Sequence, residues 1–286
     1  MSEFVVTLPG DPGLREAVGE VPGVEFLRWD LDGPPPRERI DIAVPPYWGG
    51  EARLAALRGV SARLVQWQSI GYNGVAEHLP AGMPFANAAS VHETSTAELA
   101  LGLALAAQRG IAEFDRERRR HEWNLRTFPS LADRRVLLVG YGGVGKAIEA
   151  RLSGFEVEVA RVARSAREDR DLAGRPVAVR GLDQLHDALA AMPDGALLVN
   201  VARGAVVDTA ALIAELRAGR LRAALDVTDP EPLPADHPLW ECPNLLITPH
   251  AGGDSTAMLP RMAALIRRQI ERLRAGEAPE NLIALR

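Results

Sequence analysis

Three separated segments carry side chains able to work on a small carbonyl compound. Asn200-Val201-Ala202-Arg203-Gly204 holds a guanidinium. Asp226-Val227-Thr228-Asp229-Pro230-Glu231-Pro232-Leu233 holds an acid at each end of a proline-stiffened loop, and Thr248-Pro249-His250-Ala251-Gly252-Gly253 holds an imidazole. An arginine grips a carboxylate through its two-pronged N–H geometry. A histidine gives or takes the proton that accompanies hydride transfer, and a glutamate beside it favours the imidazolium. Singly, each has a plainer explanation: Arg203 as a surface cation, Glu231 as a loop acid, His250 as a loop histidine with its bonds satisfied. Together they stand at the ends of apolar runs, where ligands bind in open α/β sheets.

A fourth segment, Gly140-Tyr141-Gly142-Gly143-Val144-Gly145, matches G-x-G-x-x-G between a strand-like and a helix-like stretch. The first glycine makes a tight turn, the second lets backbone approach a pyrophosphate, and the third allows close helix–strand packing. The helix N-terminus then offers free N–H groups to the phosphates. Gly140, Gly145 and Lys146 also begin a nucleoside-triphosphate loop, but Ala147 stands where that motif needs a hydroxyl for magnesium, so an NTPase is the weaker reading. About 20 residues on, an acid would bind the ribose of NAD. The chain has Ala163-Arg164-Ser165 there. A guanidinium and a hydroxyl suit a 2′-phosphate, which favours NADP over NAD. The plainer alternative makes Arg164 and Arg167 ordinary surface cations.

The elements that must position these residues read as two α/β units. Short strands are expected at Phe4 to Leu8, Val24 to Leu27, Ile40 to Val44 and Arg63 to Trp67, with a helix from Glu51 to Leu57 and proline-marked loops at Pro34 to Pro36 and Pro45-Pro46. A helix capped by Thr94, Ser95 or Thr96 runs to about Ala107, and a second spans Ile111 to Trp123. Its arginines alternate with Glu113, Asp115, Glu117 and Glu122, the pattern of a solvated face. Further strands are expected at Val136 to Val139, Val157 to Val162, Ala196 to Val201, Ala223 to Val227 and Leu245 to Ile247. Helices follow at Thr209 to Ala218 and Ser255 to Arg274.

The 286 residues suffice for two domains, and 47% hydrophobic with 25% charged residues is a globular balance. A net charge of -5 argues against nucleic acid as a partner. One cysteine, Cys242, excludes an intramolecular disulfide and fits a reducing cytosol; no targeting segment, membrane span or metal-ligand spacing is seen, so a cytoplasmic protein is expected.

In order along the chain, Gly140 to Gly145, Asn200 to Asp208, Asp226 to Leu233 and Thr248 to Gly253 resemble the D-isomer-specific 2-hydroxyacid dehydrogenase family, of the phosphoglycerate dehydrogenase and glyoxylate/hydroxypyruvate reductase kind. The resemblance implies a Rossmann-type doubly wound parallel sheet, residues 94–253, inserted into a smaller flavodoxin-like catalytic domain, residues 1–93 and 254–286. It implies hydride transfer between NADP or NAD and a small 2-hydroxy or 2-keto acid. Arg203 would bind the substrate, His250 act as acid/base and Glu231 tune it. Gly140, Gly142, Gly143, Val144, Gly145, Arg164, Ser165, Ala202 and Asp226 would meet the cofactor. Ser69-Ile70-Gly71 resembles the substrate loop, with Ile70 and Gly71 on the carboxylate, and Tyr47-Trp48 is a candidate pocket lining. A homodimer through the nucleotide domains is implied as well.

One interval departs from the family. Residues 165–196 offer one strand, Pro176 to Arg180, and one helix, about Leu182 to Ala191, where the family has two of each. The lost strand would lie beside the glycine-loop strand, at the switch point where dinucleotides bind. Its loss is expected to expose a strand edge or to draw Leu197 to Val201 into the vacancy, displacing Arg203. This departure supports a second reading, a degenerate relative that binds nucleotide or a protein partner without redox chemistry.

Overall fold

A computed structural model describes residues 4–182 and 188–285. The chain divides into two units, residues 1–92 with 255–286, and residues 93–254.

In the first unit, β1 (Phe4–Leu8), β2 (Val24–Arg28), β3 (Arg39–Ala43), β4 (Ser61–Gln66) and β5 (Phe85–Ala86) form one parallel sheet in the order β2-β1-β3-β4-β5. That is the flavodoxin-like order. β1 is buried throughout because both faces are covered. Val6 and Leu8 pack with α1 (Pro12–Val18) and α8 (Met258–Arg274), through Leu14, Met262 and Ile266. Val5 lies in the opposite cluster, with Trp29, Leu54 and Leu57. The expected helix over Glu51–Leu57 is a 3-10 helix. The short α2 (Val75–His78) follows β4, and the two-residue β5 is a strand that the sequence reading omits.

The second unit opens with α3 (Glu93–Gln108) and α4 (Ile111–Arg119). Thr94, Ser95 and Thr96 lie inside the first turn of α3 and do not cap it. α4 stops short of Trp123, at a turn in which His121 has φ 57. Its arginines pair with Glu113 and Asp115 on the same face, as expected for a solvated helix. Next come β6 (Arg135–Val139), α5 (Gly143–Leu152), β7 (Glu158–Ala163), β8 (Arg167–Arg170) and β9 (Pro176–Gly181). These strands make a sheet in the order β6-β7-β9-β8, in which β8 runs antiparallel to β9. A second sheet joins β10 (Leu197–Asn200), β11 (Arg222–Leu225) and β12 (Leu245–Ile247), all parallel. The helices α6 (Ala188–Ala191) and α7 (Thr209–Arg217) complete the unit; residues 183–187 of the helix expected over Leu182 to Ala191 lie outside the described residues.

The shortened interval is realised as this division. Among the described residues β6 pairs with β7 alone, and β10 with β11 alone. β10 has not moved into the vacancy. Leu137 and Val139 on β6 are 47% and 57% exposed. Both side chains stand on one face of the sheet, and full burial of each would stabilise by about 1.5–3 kcal/mol, so the uncovered face forgoes roughly half of that at each position. Helix α3 spans the division: it packs on α5 and also on β10, β11 and β12. Arg222 reinforces the link by donating to the carbonyl of Ala107 at 3.3 Å and to the side chain of Gln108.

Candidate active site

The glycine-rich turn leaves β6 at Gly140, whose φ of 97° lies in the region that favours glycine. The third glycine is fixed by packing, because a Cβ on Gly145 would overlap the carbonyl of Gly140. Cβ positions at Gly140 and Gly142 meet open space, so the turn has room for a phosphate against the backbone. Gly143 and Val144 begin α5 and present the N-terminal N–H groups, while the Glu93 side chain packs against Gly143. These residues fit a dinucleotide.

Tyr141 secures the turn from below. Its hydroxyl donates to Glu149 on α5, and Arg161 on β7 donates to the same carboxylate. Burial and the Glu149 bond push the phenol up to about 12, and Arg161 holds the Glu149 carboxyl below its usual range. From above, Arg167 Nη2 donates to the Tyr141 carbonyl at 2.8 Å, and Lys146 Nζ lies 2.7 Å from Asp169 Oδ1. Arg164 and Ser165 follow β7 directly and are exposed.

The second sheet carries the remaining groups at the carboxyl ends of its strands. After β10, Asn200 folds the chain back: its side-chain oxygen accepts from the Ala202 N–H at 3.0 Å and its amide donates to the Arg203 carbonyl at 2.9 Å. Gly204 lies so close to the Thr228 carbonyl that a Cβ would overlap it, which ties the Arg203 loop to the loop after β11. Loss of the neighbouring strand has therefore left Arg203 at its strand end. Arg203 Nη1 also donates to the Ala202 carbonyl at 2.6 Å.

Asp226 is buried and joins the loops after β11 and β12. Oδ1 accepts from the Thr248 hydroxyl at 2.6 Å and the Ala251 N–H at 2.9 Å, and Oδ2 accepts from the Gly252 N–H at 2.9 Å. His250, at φ 54, sits between those anchors, and its N–H donates to the Asp226 carbonyl at 2.7 Å. Its Nδ1 bonds to Glu231 Oε1. With Nδ1 held by a carboxylate, Nε2 is the ring atom left to exchange a proton with a substrate oxygen.

In the first unit, the substrate-loop candidates follow β4. The Ile70 carbonyl accepts from Asn87 Nδ2 and the Gly71 carbonyl from Trp67 Nε1, each at 2.9 Å. Both peptides are thereby fixed through their oxygens. Tyr47 and Trp48 meet edge-to-face at 4.9 Å, with Trp48 largely exposed.

Within the second unit the structure brings Arg203, Asp226, Glu231 and His250 onto adjoining strand ends, beside a separately braced glycine turn. The sequence reading missed the Asp226 lock and the contribution of β8. The four residues of β8 are all charged and give no strand signal, whereas the spacing of Asp169 from the glycine turn was a usable cue.

A family model for the D-isomer specific 2-hydroxyacid dehydrogenase NAD binding domain matches residues 101–187 and 185–252, in two pieces that meet within the shortened interval. A glyoxylate reductase of Korarchaeum cryptofilum is 31% identical over 77% of this chain and 76% of its own length. That alignment of 251 positions is longer than the portion of this chain it takes in, so the relative carries extra residues. A D-3-phosphoglycerate dehydrogenase of Mycobacterium leprae is 33% identical over 96% of this chain and 58% of its own length. A D-isomer specific 2-hydroxyacid dehydrogenase of Xanthobacter autotrophicus, solved with NADPH and MES, superposes with a TM-score of 0.77 at 26% identity over 100% of this chain and 99% of its own. The family model spans the glycine turn and the strand-end loops, and with the identity and coverage of these relatives the chain belongs to the D-isomer-specific 2-hydroxyacid dehydrogenases, NAD(P)-dependent oxidoreductases of 2-hydroxy acids.

Proposed function

We propose that this protein reduces a small 2-keto acid with NADPH in preference to NADH, or runs the reverse oxidation. The observation that carries this is the Glu231–His250 pair, held by the Asp226 lock on the strand adjoining the Arg203 turn. Arg203 binds the substrate carboxylate and carbonyl, and its positive charge favours the electron-rich oxygen formed during reduction. His250 Nε2 delivers the proton to that oxygen, while Glu231 fixes the orientation of the ring. Ile70 and Gly71 are proposed to offer N–H groups to a substrate carboxylate. A nicotinamide cofactor would supply the hydride; Gly140, Gly142, Gly143, Val144 and Gly145 would receive its pyrophosphate, Arg164 and Ser165 its ribose side, and Ala202 and Asp226 its nicotinamide side. The relatives named glyoxylate reductase support a short substrate. A homodimer and a cytoplasmic location belong to the same proposal.

Arg203→Ala and His250→Ala are expected to cut turnover of glyoxylate or hydroxypyruvate by about 10²-fold or more while leaving thermal unfolding unchanged. Near-normal rates in either variant would sink the assignment. The edge of β6, open among the described residues, favours a second reading, binding without redox chemistry. Reduction of any 2-keto acid by the purified protein removes it.

A further inference from the structure

We infer that Asn87 is a positioning residue for the substrate loop, and that the chain after α8, from Glu280 to Ile283, holds Asn87 in place. This rests on the reading of Ile70 and Gly71 as the loop that takes the substrate carboxylate. It goes beyond that reading by naming what aims the loop.

A trans peptide points its N–H away from its carbonyl. The bond from Asn87 Nδ2 to the Ile70 carbonyl at 2.9 Å therefore turns the Gly71 N–H the opposite way. Among the described residues that N–H has no hydrogen-bond partner, so it is left for a ligand. Asn87 makes the bond in one orientation only. Its Oδ1 accepts from the Ala89 N–H at 3.2 Å, and a flipped amide would set oxygen against the Ile70 carbonyl. Its backbone is held at both ends: the N–H donates to the Asn281 carbonyl at 3.2 Å, and the carbonyl accepts from Gln66 Nε2 at 3.1 Å. Behind it runs a chain of buried amides. Gln269 on α8 donates to Gln66 Oε1 at 2.8 Å and to the Glu280 carbonyl at 3.0 Å, and it accepts from the Glu280 N–H at 2.9 Å. Gln66 and Gln269 are completely buried. Asn281, at φ 58, turns the chain so that its Nδ2 reaches the Ala89 carbonyl, while the Ile283 N–H reaches that of Phe85, each at 2.9 Å. The segment thus grips the chain on both sides of Asn87. A buried polar network with every member matched fixes a single arrangement. The need to satisfy buried groups explains the Gln66–Gln269 pair, but not why the network ends on a loop peptide whose N–H is left open.

The test measures binding of oxamate, an unreactive analogue of a short 2-keto acid, by calorimetry with NADPH present, beside steady-state reduction of glyoxylate. It compares the wild-type chain with Asn87→Asp and Asn281→Gly. Asn87→Asp keeps the size of the side chain and its bond to Ala89, but faces the Ile70 carbonyl with an oxygen. It is expected to weaken oxamate binding and raise KM for glyoxylate by about tenfold or more, with kcat within about twofold and NADPH affinity unchanged. Asn281→Gly keeps the left-handed backbone and the carbonyl that Asn87 uses, so it serves even if Asn87→Asp does not fold; a loss of about two- to threefold in the same two quantities is expected. Undiminished oxamate affinity in either folded variant, or a loss that falls on kcat or on NADPH instead, overturns the inference and leaves the reading of the loop standing. A wild type that binds no oxamate and reduces no 2-keto acid overturns both.

Discussion

His250 owes its place to a neighbour that touches neither substrate nor proton. Asp226 spends both carboxylate oxygens on Thr248, Ala251 and Gly252, and so fixes the chain on either side of the imidazole. Glu231 then fixes the ring itself. Removing the charge on Glu231 while keeping its shape should leave binding largely intact and slow the proton transfer. Glu231→Gln is expected to lower kcat by about 10- to 100-fold with little change in KM, measured by steady-state oxidation of the reduced nicotinamide. A large rise in KM at constant kcat would place Glu231 in substrate binding instead. At this scale the sequence was informative about Arg203, Glu231 and His250, because each follows an apolar run and strand ends are where α/β sheets do chemistry. The Asn200 turn and the bonds of Asp226 to Thr248, Ala251 and Gly252 were not legible, since they depend on which loops meet in three dimensions.

Among the elements, the glycine turn is braced from the side of β7 and β8, away from the open edge of β6. The brace is the Tyr141–Glu149–Arg161 set, together with the bond from Arg167 to the Tyr141 carbonyl. Burial and Glu149 raise the Tyr141 phenol from its ordinary 10 to about 12, so the fold favours the neutral donor. The associated stability is fully present below pH 10 and is lost as pH rises from 10 through 12. Tyr141→Phe should destabilise by about 1 kcal/mol at neutral pH and flatten that alkaline loss, read by urea denaturation at several pH values. A variant with the same alkaline slope as wild type would assign the loss to other groups. The apolar runs of β6, β10 and β12 were readable because parallel strands are built from such runs, although β6 leaves Leu137 and Val139 exposed. β8 was hidden because Arg167-Glu168-Asp169-Arg170 has no apolar alternation, and β5 because two residues carry no periodicity. The far end of α4 was overestimated, since charge alternation continues past the turn at His121.

For the whole molecule, the decisive feature is a nucleotide unit built from two sheets with α3 across them. Each sheet keeps its own cluster: Leu138, Tyr141 and Leu152 in one, Leu212, Leu216 and Leu225 in the other. The same unit exposes Trp123 and Leu125 at 96% and 95%, on a stretch without regular structure after α4. A homodimer contact would cover such side chains, so they are the first place to look for the proposed interface. Trp123→Asp with Leu125→Asp is expected to convert the proposed dimer to monomer in analytical ultracentrifugation; an unchanged sedimentation coefficient would exclude that surface. The central claim, that the divided unit still closes on a nicotinamide cofactor, is tested most directly by titrating the protein with NADPH and then NADH. The signal is energy transfer from its five tryptophans to the bound nicotinamide. Saturable binding, tighter for NADPH, is the predicted result. A folded protein that binds neither would contradict the account.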